Sequence, residues 1–208
     1  MDHRTADDLK VYLDWKGPIP LRWTKGLSNA EIDTIAQAID IGSWQGIGLR
    51  DNTLQMKVKM KYNEPHPSSF ILNSAKLDAP GQHWIAVYYN INNVNPCEYF
   101  DSTGLSVFYP ELVALWERLS PWKSIKVNHK KIQNPADRNS ISCGYHALFY
   151  LYAKCKYDWC TAENVWKCYS LEDVTSKAHK AKLNHPHVND LIAMLAIEKF
   201  LQVKKIKL

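Results

Sequence analysis

The stretch "NSISCGYHALFYLY", residues 139–152, decides the fold: a short polar loop leads into one cysteine, one glycine and a long apolar run. A helix that is apolar on nearly every side belongs inside a core, so this run predicts a buried helix from Cys143 to about Tyr157. The cysteine at its first turn has two interpretations. It is a core thiol, as most cysteines are, or it is a nucleophile whose thiolate is stabilised by the partial positive charge of the helix N-terminus.

Three segments rich in β-branched and aromatic residues lie upstream of this helix: "SSFILNS" (68–74), "HWIAVYYN" (83–90) and "CEYFDS" (97–102). Such segments are typical of strands. The turn-forming residues "NINNVNP" separate the second segment from the third, which predicts a hairpin or two adjacent strands. A fourth segment, "SIKVNHKKIQ" (124–133), alternates enough to predict another strand.

Helices are predicted before and after these strands in the chain. Ser28 and Glu31 form a capping box at the start of "LSNAEIDTIAQAID". Two further helices are predicted after the buried one, from about Thr161 and from Asn189 to about Gln202. Strands in the middle of the chain with helices around them indicate the α+β class, with a central mixed sheet packed against the buried helix.

Length and composition suit one domain. The chain has 208 residues, of which 46% are hydrophobic, including eight tryptophans and eleven tyrosines, so it can build a substantial core. No apolar run approaches the length of a membrane span, and the N-terminal "MDHRTADDLK" is polar, unlike a signal peptide. The five cysteines are an odd number without secretory context. We therefore expect reduced thiols and a protein that stays inside the cell.

The net charge of +5 is clustered, and one cluster contains Lys123, Lys126, Lys130 and Lys131. Alternation along the predicted strand would place Lys126 and Lys130 on the same face. The cluster has two interpretations, a solvated surface or a surface that binds a polyanion such as DNA. The sequence contains no nucleic-acid-binding motif that would decide between them.

Four residues together suggest thiol chemistry, in the order His83, Asp101, Gln133 and Cys143. An imidazole can take the proton of a thiol, and a carboxylate behind the imidazole fixes its tautomer. An amide side chain near the sulfur can donate a hydrogen bond to the oxyanion of a tetrahedral intermediate. His83 and Asp101 stand at strand ends that bracket the predicted hairpin, and antiparallel neighbours can bring such ends together.

Each of these residues also has a purely structural interpretation. His83 could be a polar residue at a strand edge, Asp101 could start an Asx-turn, and Gln133 could be an ordinary amide at a strand end. Taken singly, the structural interpretations are favoured. Taken together, the order, the spacing and the cysteine at a helix start favour the catalytic one.

The motifs that carry these residues resemble a known family. "PGQHWIAVYYN", "CEYFDSTG", "IQ" and "SCGYHALFYL" resemble the adenovirus maturation proteases (adenain-like cysteine proteases), and still more the related proteases of Polinton/Maverick elements and virophages. Ubiquitin-like-protein-specific proteases share the same catalytic order. The resemblance covers about residues 44–200 as the catalytic core, which leaves residues 1–43 as an N-terminal helical extension of a single domain, 1–208.

The resemblance implies a cysteine endopeptidase that cuts capsid or other structural precursors near small residues. Cys143 would be the nucleophile, His83 the general base and Asp101 its orienting acid. Gln133 would donate to the oxyanion beside the backbone N–H of Cys143. Two further positions, Trp84 and Gly144, would contact substrate, although Trp84 as a plain core aromatic is an equal alternative.

The resemblance also implies a setting. Protein substrates are expected, with DNA as a non-specific activator, and neither a cofactor, a metal nor a membrane is called for. We expect a monomer that acts inside the host cell, in the nucleus or a cytoplasmic virus factory, and in the virion.

Two departures from the family pattern bear on these roles. Gln133 and Cys143 are 143 − 133 = 10 residues apart, a few more than is usual, so the intervening segment must loop out. The adenovirus enzyme is tethered to a peptide activator through a cysteine between its acid and its nucleophile. Here Cys97 precedes Asp101 and no cysteine follows before Cys143, so that tether does not carry over.

Other functions are consistent with parts of the sequence. A deconjugating protease for a ubiquitin-like modifier would use the same chemistry, and a catalytically inactive binding module would keep the fold. Papain-like chemistry is excluded because it needs the cysteine before the histidine. A zinc site built from Cys155, Cys160, Cys168 and His179 has loose spacing and no C-x-x-C pair.

Overall fold

The computed structural model describes residues 25–41, 44–49, 67–74, 83–90, 92–93, 96–105, 110–111, 114, 125–133, 141–157, 159–170, 186–206 and 208. All structural statements that follow concern these residues.

The described residues form a five-stranded mixed sheet in which the strands lie side by side in chain order. The outer pairs, β1 with β2 and β4 with β5, are parallel, whereas β2, β3 and β4 are antiparallel neighbours. The predicted adjacent strands are confirmed as β3 and β4. The strands are β1 Trp44–Leu49, β2 Ser68–Asn73, β3 Trp84–Tyr89, β4 Cys97–Phe100 and β5 Ile125–Val127.

Three α-helices accompany the sheet: α1 Asn29–Ala38, α2 Cys143–Lys156 and α3 Pro186–Val203. The capping box at the start of α1 is confirmed, because Ser28 and Glu31 each hydrogen-bond to the backbone of the other. Helix α2 is confirmed as the central buried helix. Every residue from Cys143 to Leu151 is buried, which explains its lack of a polar face.

Alternating residues of the strands divide the core into two layers. One face of the sheet, with Ile71, Ala86 and Phe100, packs together with buried side chains of the three helices. The opposite face contributes a second cluster of buried residues, among them Val87 and Tyr99. Because β2, β3 and β4 are buried on both faces, their sequences are apolar runs rather than a regular alternation.

The described part of the predicted N-terminal extension contributes to the same core as α2. Leu27, Ile32, Ile35 and Ile39 are buried there. Helix α1 is therefore an integral layer of the domain, although the domain boundaries themselves stay a prediction.

Two predicted elements differ in the structure. Strand β5 ends at Val127, because the next side chain, Asn128, turns to hydrogen-bond the backbone of Asp101 and takes the place of further strand pairing. The predicted alternation of Lys126 and Lys130 on one strand face is therefore wrong. The helix predicted from about Thr161 is a 3₁₀-helix, Val165–Ser170, and it follows a turn.

Among the described residues, no helix combines the length and the apolar character needed to cross a membrane.

Candidate active site

His83 and Asp101 meet because two antiparallel strands end side by side. His83 directly precedes β3, and Asp101 directly follows β4. In the register of this pair, Ala86 lies opposite Phe100, so the start of β3 and the end of β4 lie side by side at the same end of the sheet. His83 Nε2 lies 2.8 Å from Asp101 Oδ1.

The carboxylate of Asp101 is held by its own turn. Oδ1 accepts hydrogen bonds from the backbone N–H of Thr103 at 2.8 Å and from the Thr103 hydroxyl at 2.6 Å. The first of these is the Asx-turn that the sequence allowed as an alternative to a catalytic role. In the structure the same oxygen serves the turn and His83, so the two interpretations describe one arrangement.

The imidazole of His83 links Asp101 to Cys143. The side chain of His83 hydrogen-bonds with that of Cys143 as well as with Asp101. Since Nε2 faces the carboxylate, Nδ1 is the ring nitrogen left for the sulfur. Burial lowers the pKa of His83, but the hydrogen bonds and the negative charges of Asp101 and Cys143 together outweigh it and raise the pKa to about 10. The site therefore favours the imidazolium form of His83.

Cys143 is the first residue of α2 and is only 3% exposed. The residue before it, Ser142, has helical backbone angles and supplies no side-chain cap to the first turn. Among the described residues its buried hydroxyl has no hydrogen-bond partner. The sulfur thus lies at a helix N-terminus, where the helix dipole favours negative charge and where no serine side chain competes for the N–H groups.

Gly144 allows the core to pack closely beside Cys143. A Cβ at this position would lie 3.2 Å from Trp84 Cδ1, which is tighter than ordinary packing, and 3.4 Å from side-chain atoms of Leu27 and Ile32. Trp84 is buried, and its indole N–H donates to the carbonyl of Leu27 at 3.2 Å. These contacts fit the core-aromatic interpretation of Trp84, and substrate contacts of Trp84 and Gly144 stay a prediction.

Gln133 is buried beside the turn that contains Asp101. Its side-chain Oε1 accepts a hydrogen bond of 2.6 Å from the hydroxyl of Ser102. Its backbone N–H donates to the carbonyl of the same serine. The structure therefore brings His83 into contact with Asp101 and Cys143, and it places Gln133 against Ser102, the residue that follows Asp101. Donation by Gln133 to an oxyanion stays a prediction.

Sequence reasoning missed the residue that anchors Asp101 from the neighbouring strand. Asn128 Oδ1 accepts from the backbone N–H of Asp101 at 2.7 Å, and Asn128 Nδ2 donates to the backbone carbonyl of Asp101. These two side-chain hydrogen bonds stand where backbone hydrogen bonds between β4 and β5 would otherwise continue. The only local signal was an asparagine after "SIKV", which predicts the end of a strand but not its partner.

A glycine lets the chain after β5 pack against the Asp101 turn. Gly104 has φ of 68°, and an added Cβ would lie 2.8 Å from the backbone nitrogen of Lys131. Any larger residue would suffer both a left-handed backbone and a clash. The segment that contains Lys130 and Lys131 is therefore next to the candidate site.

The predicted DNA-binding lysines have other contacts where they are described. Lys126 Nζ lies 3.4 Å from a carboxylate oxygen of Glu163, and Lys130 Nζ lies 3.5 Å from the ring centroid of Trp166. Lys131 is exposed, and Lys123 lies outside the described residues. DNA binding stays a prediction.

The zinc alternative gains no support in the described part of the chain, where no three His, Cys, Asp or Glu side chains form a group that could hold a metal ion. Cys155 is exposed, whereas the buried Cys160 and Cys168 have their sulfurs 3.5 Å apart. The hydrogen bond with Cys168, together with burial, raises the pKa of Cys160, which opposes the thiolate that a metal needs. His179 lies outside the described residues.

Comparison with known proteins adds little. No known family profile matches the chain, and no curated protein matches it. Among solved structures it is similar to the ASFV pS273R protease, at a TM-score of 0.48 and 18% sequence identity, and the match covers 87% of this chain and 71% of that one. A similarity this weak supports no argument about function.

Proposed function

We propose that the protein is a cysteine endopeptidase with Cys143 as nucleophile and His83 as its base. The observation that carries the proposal is the double contact of His83, whose ring hydrogen-bonds with Asp101 on one side and Cys143 on the other. A structural histidine needs a polar partner, but it does not need a thiol at a helix N-terminus as the second one.

The proposed reaction follows from this geometry. The Cys143 thiolate attacks the carbonyl carbon of the scissile peptide, and a carbon–sulfur bond forms while the carbonyl electrons move to oxygen. The oxyanion collapses, the carbon–nitrogen bond breaks, and the imidazolium of His83 gives its proton to the leaving amine. Neutral His83 then takes a proton from water, which attacks the thioester. The carboxylic acid leaves and the thiolate–imidazolium pair is restored.

Asp101 and Gln133 have supporting roles in this scheme. Asp101 holds the imidazole in place through Nε2 and stabilises its positive charge. Gln133 donates to the oxyanion together with the backbone N–H of Cys143. Both assignments combine the contacts described above with the family resemblance of the sequence motifs.

The substrates that we propose are capsid or other structural precursor proteins of a virus or a virus-like transposon, cut at sites with small residues. Support comes from the motifs around His83, Asp101 and Cys143 and from their order in the chain. On the same basis we propose that the protein acts in the infected cell and in the virion, with DNA as a non-specific activator.

The first test compares two cysteines of the same helix. A small neutral alkylating agent such as iodoacetamide should modify buried Cys143 faster than exposed Cys155 at neutral pH, because Cys143 hydrogen-bonds with the imidazole of His83, which can take its proton. Site-resolved mass spectrometry measures both rates in one sample. Faster labelling of Cys155 would remove the basis of the proposal.

The second test uses protein substrates. The protein is incubated with the structural proteins encoded beside it, and new termini are mapped by mass spectrometry. Cys143→Ala should abolish cleavage, whereas Cys155→Ala should cleave at the wild-type rate. Cleavage by Cys143→Ala would rule out the mechanism.

A further inference from the structure

The turn after Asp101 also holds Gln133. The hydroxyl of Ser102 donates to Gln133 Oε1 at 2.6 Å. The carbonyl of Ser102 accepts from the backbone N–H groups of Ile132 and Gln133, each at 2.9 Å. One residue thus makes three hydrogen bonds to a segment about thirty residues away in the chain, and Ser102 and Gln133 are both almost fully buried.

These contacts bear on the direction of the Gln133 amide. A glutamine side chain ends in an oxygen that accepts and a nitrogen that donates, and rotation by half a turn exchanges the two. An oxyanion needs the nitrogen. In the structure the Ser102 hydroxyl donates to Oε1, so the oxygen faces the turn and the two N–H donors of Nε2 face away from it.

We propose that Ser102 is a positioning residue that fixes the orientation of the Gln133 amide, so that Nε2 donates to the oxyanion formed at Cys143. The inference rests on the proposed function, which it deepens. Ser102 itself does not contact the reacting atoms. It acts through Gln133, and its neighbour Asp101 acts through His83, so one turn places both the acid and the amide donor.

The test separates two reactions of Cys143. Acylation by 4-nitrophenyl acetate passes through an oxyanion and releases 4-nitrophenolate, which is measured as a single-turnover burst. Alkylation by iodoacetamide is a direct displacement without an oxyanion. Loss of an oxyanion donor therefore slows the first reaction only, whereas damage to the contact between His83 and Cys143 slows both.

We expect Ser102→Ala to slow acylation roughly tenfold, the usual effect of one hydrogen bond, while alkylation stays within about twofold. Gln133→Ala should slow acylation roughly 10²–10³-fold, as for other oxyanion donors. The double variant should be no slower than Gln133→Ala alone, because Ser102 acts only through Gln133. Ser69→Ala, a buried serine of β2, serves as the matched control and should change neither rate.

A second pair of variants keeps the test valid if Ser102→Ala does not fold. Ser102→Thr and Ser102→Val have nearly the same shape, and only the threonine has a hydroxyl. We expect acylation by the threonine variant to exceed that of the valine variant by roughly tenfold.

Three results would overturn the inference. They are equal acylation by Ser102→Val and Ser102→Thr, a double variant whose loss equals the product of the two single losses, and a parallel fall of acylation and alkylation. Failure of the proposed function itself would be visible in the wild-type protein, where Cys143 would react no faster than Cys155 with either reagent.

Discussion

Two histidine–aspartate pairs contact helix α2, and their geometries are nearly the same. His83 Nε2 lies 2.8 Å from Asp101 Oδ1 at the start of the helix, and His146 Nε2 lies 2.7 Å from Asp190 Oδ1 one turn further along. The difference is in the other ring nitrogen. That of His83 is left for the Cys143 thiol, whereas His146 Nδ1 lies 2.6 Å from the hydroxyl of Tyr169.

Exposure separates the two pairs as well. The side chain of His83 is 15% exposed and that of His146 is 0% exposed. Burial, followed by the charge of Asp190, raises the pKa of Tyr169 well above its usual value, so the second pair ends in a neutral phenol. A histidine–aspartate contact therefore does not by itself indicate catalysis. What distinguishes the first pair is a thiol as the second partner of the ring and a histidine side chain that is partly exposed.

The largest expected difference between the two pairs comes from replacing each histidine with alanine. His83→Ala should lower kcat/KM by roughly 10²–10⁴-fold, because thiolate formation and protonation of the leaving amine both depend on the imidazole. The free energy of unfolding should fall by less than in His146→Ala, because the backbone and hydroxyl of Thr103 still donate to the Asp101 carboxylate. His146→Ala should instead lower the free energy of unfolding by about 3–5 kcal/mol, because it removes one side of a fully buried histidine–carboxylate contact.

Chemical denaturation and steady-state kinetics on the two variants check this pair of predictions. Measurements on His146→Ala belong at a temperature where circular dichroism shows it to be folded. An active His83→Ala protein, or a His146→Ala protein as stable as the wild type, would contradict the division into one catalytic and one structural pair.

The charge state of His83 sharpens the comparison. Its pKa should be about 10 in the wild-type protein by NMR titration and lower in Cys143→Ala and Asp101→Asn, since each change removes a group that raises it. This raised pKa adds stability that is fully present below about 6.5, the value expected for unfolded histidine, and is lost as pH rises through about 10. A pKa that is unchanged in both variants would contradict the described contacts.

The two carboxylates should differ more mildly. Asp101→Asn should reduce kcat/KM, but by less than His83→Ala, because it weakens the orientation and charge of the imidazole without removing it. Asp190→Asn should leave kcat/KM near the wild-type value and lower the free energy of unfolding by about 1–3 kcal/mol, the penalty of an impaired buried hydrogen bond. Activity and urea denaturation, measured on both variants in parallel, test whether one substitution affects mainly kcat/KM and the other mainly the free energy of unfolding.

The smallest effect concerns charge beside the first pair. The backbone of Lys130 and Lys131 packs against the turn after Asp101, at Gly104. We expect weak, sequence-independent DNA binding there that decreases as the salt concentration rises. Fluorescence titration of labelled duplex DNA at low and near-physiological salt measures it. Charge reversal of Lys126, Lys130 and Lys131 to glutamate should abolish binding. Binding that is unaffected by this change, or no binding at low salt, would identify the lysines as a solvated surface.

Local sequence patterns were sufficient where a structural element is defined by its own residues. The capping box at Ser28, the buried helix from Cys143 and the adjacent strands that bring His83 to Asp101 all depend on patterns within one segment or two neighbouring ones. The class of the fold and the meeting of these residues could therefore be predicted from the sequence.

The contacts that complete the site could not be predicted, because they join loops that are distant in the chain. Asn128 and Ser102 are ordinary turn residues until the sheet places one beside the backbone of Asp101 and the other beside Gln133. The pair of His146 and Asp190 is separated by 44 residues and needs the packing of α3 against α2. Nothing in either local segment indicates the other.

Helix α2 begins without the side-chain cap that helix α1 has. A good cap contributes about 1 kcal/mol to the free energy of unfolding. The protein lacks this stabilisation at the start of α2, where Cys143 lies. Selection for heat resistance in the laboratory would favour changes that give Ser142 an extended backbone, so that its own hydroxyl caps the helix. That side chain would compete for the first-turn N–H groups with the oxyanion of the proposed reaction. Robustness and turnover would thus be in conflict at a single position of this chain.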